Sequence, residues 1–541
     1  MDLSPYTGRW VALVGGQVTG VGYTPEEARQ LAQRNRPKER VTLQFVAPPG
    51  GEELPLPALL GRLRPFFAQL DQPVYLVGGA VRDALLGLPV HDLDFVTPQR
   101  AIKLAFQAAD ALQAAAYVLD RERDTGRVVL SDDGMTLDFA RFRGDDLLAD
   151  LQDRDFTINA IALPVTAETS LSLIDPTGGL PDLRTGVIRM VHAQSLANDP
   201  VRALRAVRQA GSLGFQLAPE TEAAVIASAP QLAAVSTERV RDELLKMLAT
   251  AVPHQAVRQM HELGLLPFVL PTIAALDGVA QSPPHWQDVL AHTISALRWL
   301  VLVETAVLDG AIEGTAAGLS QAAAQLAPYR ASLNDHFARP VDGMVYGRAL
   351  LRLGALFHDV GKRDTQTTTA DGQIHFYGHD KTGAAITADV LRRLTLSNKV
   401  SDYVADVVLG HMRPLLLLHA QGSAPTRRAV YRYFRDIGAA GLDVGLLALA
   451  DHLATYDGVG DMAQWETLLK LVAALYANYF TQYAETVAPT PLLDGHDLMQ
   501  ALNLKPGPEV GRLLRLLQEA QAAGEVNSRE TAVQFVQQAR R

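Results

Sequence analysis

The chain has 541 residues, 48% of them hydrophobic and 20% charged, with a formal net charge of −10 and no cysteine. Lack of cysteine excludes disulfides, zinc–thiolate sites and thiol nucleophiles, so any metal must be held by His and carboxylate. The acidic balance excludes indiscriminate nucleic-acid binding, no apolar run reaches bilayer-spanning length, and no charged-then-apolar leader follows Met1; a soluble cytoplasmic protein of several domains, with no membrane partner, is expected.

Residues 1–50 read as a small α+β module: WVALVGGQVTGVG as a hairpin, TPEEARQLAQRNR as an N-capped helix and RVTLQFV as a closing strand, with Pro48-Pro49-Gly50-Gly51 as a linker. Residues 53–190 alternate strands and helices, and VYLV, HDLDFV, AAAYVLD, RVVLS and MTLDFARF form about five strands of a mixed sheet. From about residue 195 the periodicity is helical almost throughout. The stretch 310–340, rich in Ala and Gly and weakly periodic, reads as an insertion or mobile excursion.

The most informative segment is YLVGGAVRDALLGLPVHDLDFV, residues 75–96. Gly78 and Gly79 leave backbone N–H groups free to approach a triphosphate where a helix begins, and Arg82 sits in its first turn. Gly87 ends that helix. Asp92 and Asp94 then lie on a strand whose period of two throws both carboxylates to one face and Leu93 and Phe95 to the core. Carboxylates so placed can share two Mg²⁺ ions for attack on an α-phosphate. Asp138, in MTLDFARF, is a candidate third carboxylate.

LQDRDFTINAIAL (151–163) carries Arg154, Asp155 and Asn159, and NDPVRALRAVRQAGSLGF (198–215) carries Asp199, Arg202, Arg205 and Arg208. Together with GGAVRD and DLDF, these segments resemble the class II tRNA nucleotidyltransferases, the bacterial CCA-adding enzymes and their poly(A) polymerase relatives, from about residue 73 onward. The resemblance implies an α+β protein: a nucleotidyltransferase head over 53–190 with a mixed sheet, a helical neck and RNA-binding region over 191–280, a helical body over 281–480 and a helical tail over 481–541. It implies C and A addition from CTP and ATP to a tRNA 3′ end, with Mg²⁺ at Asp92 and Asp94; the alternatives are CC-only, A-only or poly(A) addition, or a metal-dependent phosphohydrolase whose head is inactive or presents RNA. Arg154 and Asp155 would meet sugar and phosphate, Asp199 and Arg202 the Watson–Crick edge of the incoming base, and Arg205 and Arg208 triphosphate or tRNA backbone.

Asp153 stands where the family usually has Arg, His91 where Lys or Arg is common, and Asn198 where Glu is usual. The segment 144–153 is short where many CCA-adding members carry a longer flexible loop that goes with the switch from C to A addition. Efficient C addition with poor or absent terminal A addition is therefore expected.

His292, His358, Asp359, His379, His411 and Asp451 fall on expected helices or helix ends, in LAHT, LFHDVG, GHDK, LGHM and LADH. Adjacent His-Asp on a helix can aim imidazole and carboxylate at one divalent ion, with distant helices completing the shell. The set resembles the HD phosphohydrolase superfamily and implies a divalent transition metal or Mg²⁺, with Lys362 as a phosphate ligand. In related tRNA nucleotidyltransferases this domain hydrolyses 2′,3′-cyclic phosphates and related phosphoesters. His285, His375 and His452 are expected to be structural or supporting. In the tail, the Arg512/Arg515 face is either a tRNA contact or part of a packed amphipathic helix.

Overall fold

A computed structural model describes residues 2–6, 9–22, 25–36, 39, 41–46, 56–90, 92–130, 135–166, 173–312, 317–342 and 345–540. His91 and the linker 48–51 lie outside the described residues. The chain divides into two compact units, residues 1–235 with 262–268 and residues 236–261 with 269–541, so the boundary passes inside the 191–280 segment.

In the first unit, β1 (Arg9–Val14) and β2 (Gln17–Gly22) form the expected hairpin and β3 (Thr42–Val46) pairs on the other side of β1. Helix α1 (Pro25–Asn35) lies so close to the hairpin that a Cβ at Gly20 would fall 2.1 Å from the Ala28 carbonyl oxygen. A second sheet has six strands: β4 (Tyr75–Val77), β5 (Asp92–Thr97), β6 (Ala115–Asp120), β7 (Thr125–Val129), β8 (Thr136–Arg141) and β9 (Ala162–Pro164), in the order β6-β7-β8-β5-β4-β9. The β5/β8 pair is parallel and the others antiparallel, as a mixed sheet requires. The sixth strand, β9, lay unread inside TINAIALP because three residues carry too little alternation to signal a strand. On the core face, Phe95 of β5 stacks on Phe139 of β8 at 4.8 Å and meets Phe67 of α2 (Ala58–Phe67) at 5.3 Å. Burial of this aromatic layer anchors the strand that carries Asp92 and Asp94, since each such ring contributes roughly 1.5–3 kcal/mol.

The second unit is helical. Helix Val289–Glu304, N-capped by Asp288, packs against Ala440–Tyr456 and Gly347–Phe357. Contrary to the expectation that no apolar run reaches bilayer-spanning length, Val289–Asp309 is apolar and long enough to cross a membrane, but 72% of its most apolar window is buried as core. The excursion expected over 310–340 is corrected: residues 313–316 are outside the described set, but Ala317–Leu326 and Arg330–Ala338 are packed helices with Leu319, Leu326 and Leu333 fully buried. They are fixed by Arg330 to the Val307 carbonyl (2.8 Å), Trp465 to Gln321 (2.8 Å) and His336 to Asp443 (2.9 Å), partners too distant in sequence to be seen in its local period. At the C-terminal end, Gly495–Leu502, Pro508–Ala522 and Arg529–Ala539 enclose a cluster built on Leu498, Leu513, Leu517 and Val536. Arg512 there pairs with Glu509 at 2.7 Å on a packed amphipathic helix.

Candidate active sites

Strand β4 runs into Gly78, whose φ of +74° lies in the left-handed region, and α3 (Gly79–Leu86) begins at once with no side-chain cap on its first N–H groups. The positive φ favours glycine, and a Cβ at Gly78 would lie 3.3 Å from Arg154 Nη1 and 3.4 Å from Asp94 Oδ2, pressing on both side chains. The helix entry, Asp94 and Arg154 therefore meet at one point. Val77 pairs with Asp94 across β4/β5 and Asp94 with Asp138 across β5/β8. Asp92 and Asp94 both face out of the sheet while Leu93 and Phe95 are buried, as the alternation predicts. Asp92 accepts a hydrogen bond from the Thr136 hydroxyl at 2.8 Å.

The Asp94 carboxyl is pushed up to about 6, chiefly because surrounding protein desolvates it and further because Asp138 and Asp92 add negative charge; Arg154 and Arg127 oppose this. Although protein crowds its carboxyl, Asp94 keeps an exposed surface on the same strand face as Asp92. A carboxylate so held against its own ionisation suits a divalent cation, and hard oxygen donors suit Mg²⁺. Asp138 is engaged elsewhere: both its oxygens accept from Arg127 at 2.6 Å. No triad of Asp92, Asp94 and Asp138 gathers within 4.8 Å among the described residues.

Around this pair lies a buried polar network. Asp155 accepts from Arg205 (2.9 Å), Asn159 (2.9 Å) and the Phe156 N–H (2.8 Å), which together hold its carboxyl far below the usual range despite burial. Asn159 accepts from Arg82 at 2.8 Å and donates to Gln209 at 3.1 Å. Arg154 is aimed by Asp150, which lies one turn earlier near the end of α4 (Leu147–Gln152) and accepts at 2.9 Å. Arg202, on helix Val201–Leu213, donates to the Asp153 (2.7 Å) and Arg154 (3.2 Å) carbonyls and to the Ser195 hydroxyl (2.8 Å), with Asp199 3.8 Å away. Its guanidinium thus braces the 153–155 backbone. Arg208 stands half-buried two turns beyond Arg202 on the same helix. Sequence reading missed Arg127, Asp150 and Gln209. The spacing of Asp150 four residues before Arg154 was the one available signal.

The second constellation is more tightly gathered. His292, His358, Asp359, His379 and His411 are buried, and with Asp451 they form two groups, His292–His358–Asp451 and Asp359–His379–His411, each with donor atoms within 4.8 Å of one another. His358, His379 and His411 each direct Nδ1 to the carbonyl three residues earlier, at 2.8, 2.8 and 2.6 Å. A carbonyl only accepts, so Nδ1 carries the proton and Nε2 presents its lone pair inward. The Nε2 atoms of His379 and His411 consequently face each other at 3.1 Å, and His358 Nε2 is buried without a hydrogen-bond partner. Opposed lone pairs and an orphaned imidazole nitrogen fit a cation held between them. Burial, and then the charge of His358, push His411 down to about 4, the neutral form a metal ligand needs. Burial lowers His358 as well, but Asp359 and Asp451 outweigh it and move that group up. His292 meets Asp451 at 2.9 Å, and Lys362 donates to Asp359 (2.7 Å) and Gln281 (2.8 Å). Asp359, His379, His411, Asp451 and Lys362 line a cavity of about 450 Å³, which His285, His375 and His452 also border.

The head sheet matches the family model of the poly A polymerase head domain over residues 74–189; residues 214–276 match a probable RNA and SrmB-binding site of polymerase A, and 381–536 a putative tRNA nucleotidyltransferase domain 2. Fold and sequence thus define a nucleotidyltransferase with a poly(A) polymerase head. More narrowly, the chain belongs to the tRNA nucleotidyltransferase family. It is 35% identical to the A-adding tRNA nucleotidyltransferase of Deinococcus radiodurans, over 88% of this chain and 98% of that one. It is 32% identical to the CC-adding tRNA nucleotidyltransferase of Thermus thermophilus, over 87% and 94%. Among solved structures, a CCA-adding enzyme with ATP shares the fold with a TM-score of 0.56 at 20% identity, over 89% of this chain and 95% of that one. The Thermotoga maritima CCA-adding enzyme complexed with tRNA does so at 0.51 and 21%, over 91% and 100%.

Proposed function

We propose that this chain adds C and A nucleotides from CTP and ATP to the 3′ end of tRNA in the cytoplasm. The observation that carries the reading is the meeting of Asp94, Arg154 and the uncapped α3 entry at Gly78, with Asp92 on the same strand face. Mg²⁺ held by Asp92 and Asp94 would activate the 3′-hydroxyl and steady the departing pyrophosphate. The N–H groups at Gly78 and Gly79, with Arg82, hold the triphosphate so that the α-phosphorus faces the primer oxygen; the new P–O bond forms as the bond to the β-phosphate breaks. Arg154 and Asn159 meet the sugar and phosphate. Asp155 is held ionised for that contact by Arg205, and Arg208 faces the triphosphate or the tRNA backbone. Asp199 offers an acceptor to the base edge, and Arg202, its guanidinium committed to the Asp153 and Arg154 carbonyls and to Ser195, would have to release one of these to reach the same edge. Asp138, neutralised by Arg127, shapes the field at Asp94 rather than adding a free carboxylate.

Within that reading C addition dominates. The segment 144–153 is short and pinned: Asp146 caps α4, Asp150 accepts from the Arg143 N–H and Arg154, and Arg143 pairs with Asp153 at 3.5 Å. A braced helical turn is a poor lever for reshaping the pocket from CTP to ATP. Kinship with the Deinococcus A-adding enzyme favours a second reading, addition of the terminal A alone. Transcripts ending before CCA, at C or at CC, given CTP and ATP separately and together, decide between them. Labelling of the first two transcripts by CTP supports C addition, and labelling of the CC transcript alone by ATP overturns it.

The helical body, residues 281–480, is proposed as a metal-dependent phosphoesterase of the HD type. His292, His358, Asp359, His379, His411 and Asp451 would hold a divalent transition metal or Mg²⁺, which supplies an activated water. Lys362 orients Asp359 and offers its charge to a phosphate in the cavity. A chelator-sensitive hydrolysis of 2′,3′-cyclic nucleotides is the test, and hydrolysis persisting in His358→Ala would refute it.

A further inference from the structure

The cavity at the His/Asp cluster is larger than a phosphate needs. Volumes of ligand sites start near 300 Å³, and its roughly 450 Å³ is room for a mononucleotide rather than for phosphate alone. One rim is a hairpin, Gln366–Thr368 paired with Ile374–Phe376, followed by Tyr377. His375 and Tyr377 stack at 5.3 Å with planes only 18° apart, and Tyr377 is 76% exposed although it borders the cavity. An aromatic ring held flat and left uncovered at a cavity mouth is unusual, since such a ring normally buries its face.

This rim is fastened to the metal-ligating floor. The Phe376 carbonyl accepts from His379 Nδ1 at 2.8 Å, Lys362 Nζ lies 5.4 Å from the centre of the Phe376 ring, and the Ile374 N–H donates to Ser282 at 2.8 Å. The stacked pair is therefore held two to four residues from a proposed metal ligand on a braced strand end.

We propose that His375 and Tyr377 form a stacking platform for the base of a nucleoside phosphate whose phosphate group sits at the His/Asp cluster, so that the site selects nucleotides over baseless phosphoesters. This rests on the phosphoesterase reading above. Base–aromatic stacking tolerates any base, because every base has a π-face, and contributes about 1–3 kcal/mol per base. Preference for a base over no base, with little choice among bases, is the expected signature.

Equilibrium binding to the full chain kept metal-free with chelator separates recognition from turnover. The probes are adenosine and cytidine 2′-monophosphates, ribose 5-phosphate and inorganic phosphate. Wild type should bind both nucleotides roughly tenfold or more tightly than ribose 5-phosphate. Tyr377→Ala should lose most of that advantage and Tyr377→Phe should keep it, with thermal midpoint and zinc or manganese uptake confirming that the variant is folded. Equal nucleotide affinity in wild type and Tyr377→Ala, or no preference of wild type for base-bearing probes, overturns the platform. Hydrolysis of bis(4-nitrophenyl) phosphate by metal-loaded wild type distinguishes the two failures: present, only the platform falls; absent together with all phosphate binding, the phosphoesterase reading falls and the platform with it. An RNA oligonucleotide ending in a 2′,3′-cyclic phosphate, run beside the cyclic mononucleotide, tells whether the base comes from an RNA end or a free nucleotide. KM lower for either and raised by Tyr377→Ala supports the platform.

Discussion

The carboxylate pair of the head and the His/Asp cluster of the helical body are built on opposite plans. Asp92 and Asp94 stand on an exposed strand face, Asp92 hydrogen-bonded to the Thr136 hydroxyl, whereas His358, His379 and His411 are buried with each Nδ1 tied to a backbone carbonyl. An open pair of hard oxygen donors leaves room for a triphosphate to complete the coordination, as Mg²⁺ sites commonly do. A closed set of imidazoles and carboxylates supplies most of a shell from protein and favours a resident metal. On the reading proposed above, the first site gathers its ions with substrate and the second holds its own.

The sharpest way to break that contrast is to remove one open carboxylate. Asp94→Ala should lower nucleotide incorporation by about three orders of magnitude, since each metal contributes several kcal/mol to the transition state, and should leave cyclic-phosphate hydrolysis intact. Incorporation near the wild-type rate would remove Asp94 from the site.

Metal retention tests the other half. After gel filtration without chelator, elemental analysis should find a divalent metal bound to wild type and lost in His358→Ala, while Asp92→Ala retains it. Stripping that metal should lower stability by about 2–3 kcal/mol at free metal near a hundred times Kd, seen as a reduced thermal midpoint. A midpoint indifferent to chelator would mean the buried cluster holds no resident ion.

Smaller effects are expected where base choice is read. Asp199→Ala should relax CTP/ATP discrimination by about tenfold, roughly one lost hydrogen bond to the base. Arg202→Ala should both relax it and destabilise the head, because the Asp153 and Arg154 carbonyls lose their donor. Unchanged preference among the four nucleoside triphosphates in both variants would end the protein-template idea.

The smallest effect concerns pH. Asp94 in the folded chain is raised above its unfolded value of about 3.8 to about 6, so its ionisation opposes folding. That penalty is fully present above pH 6 and vanishes below about pH 4, where both states are protonated. In chelator, Asp94→Asn should therefore melt higher than wild type at pH 7 and equally at pH 4. A difference that grows toward low pH would contradict the electrostatic account.

Much of this was legible because it is local. The two-residue period of DLDFVT placed Asp92 and Asp94 together and put Leu93 and Phe95 in the core, and GG before a helical run marked the uncapped entry. The order of His and Asp residues along the helical half, with the adjacent His358-Asp359 pair, marked the second cluster. What the sequence by itself could not determine depends on partners far apart along the chain. Arg127 takes both oxygens of Asp138 because β7 and β8 pair in one register, and a slip of one residue would have freed them. His292 meets Asp451 across 159 residues of chain only because two long apolar helices pack together. Residues 317–338 looked unanchored since their holds, Val307, Asp443 and Trp465, arrive from other helices. Side-chain periodicity reports which face an element buries, and burial energy is nondirectional; which groups then meet, and in what charge state, is decided only by packing and register.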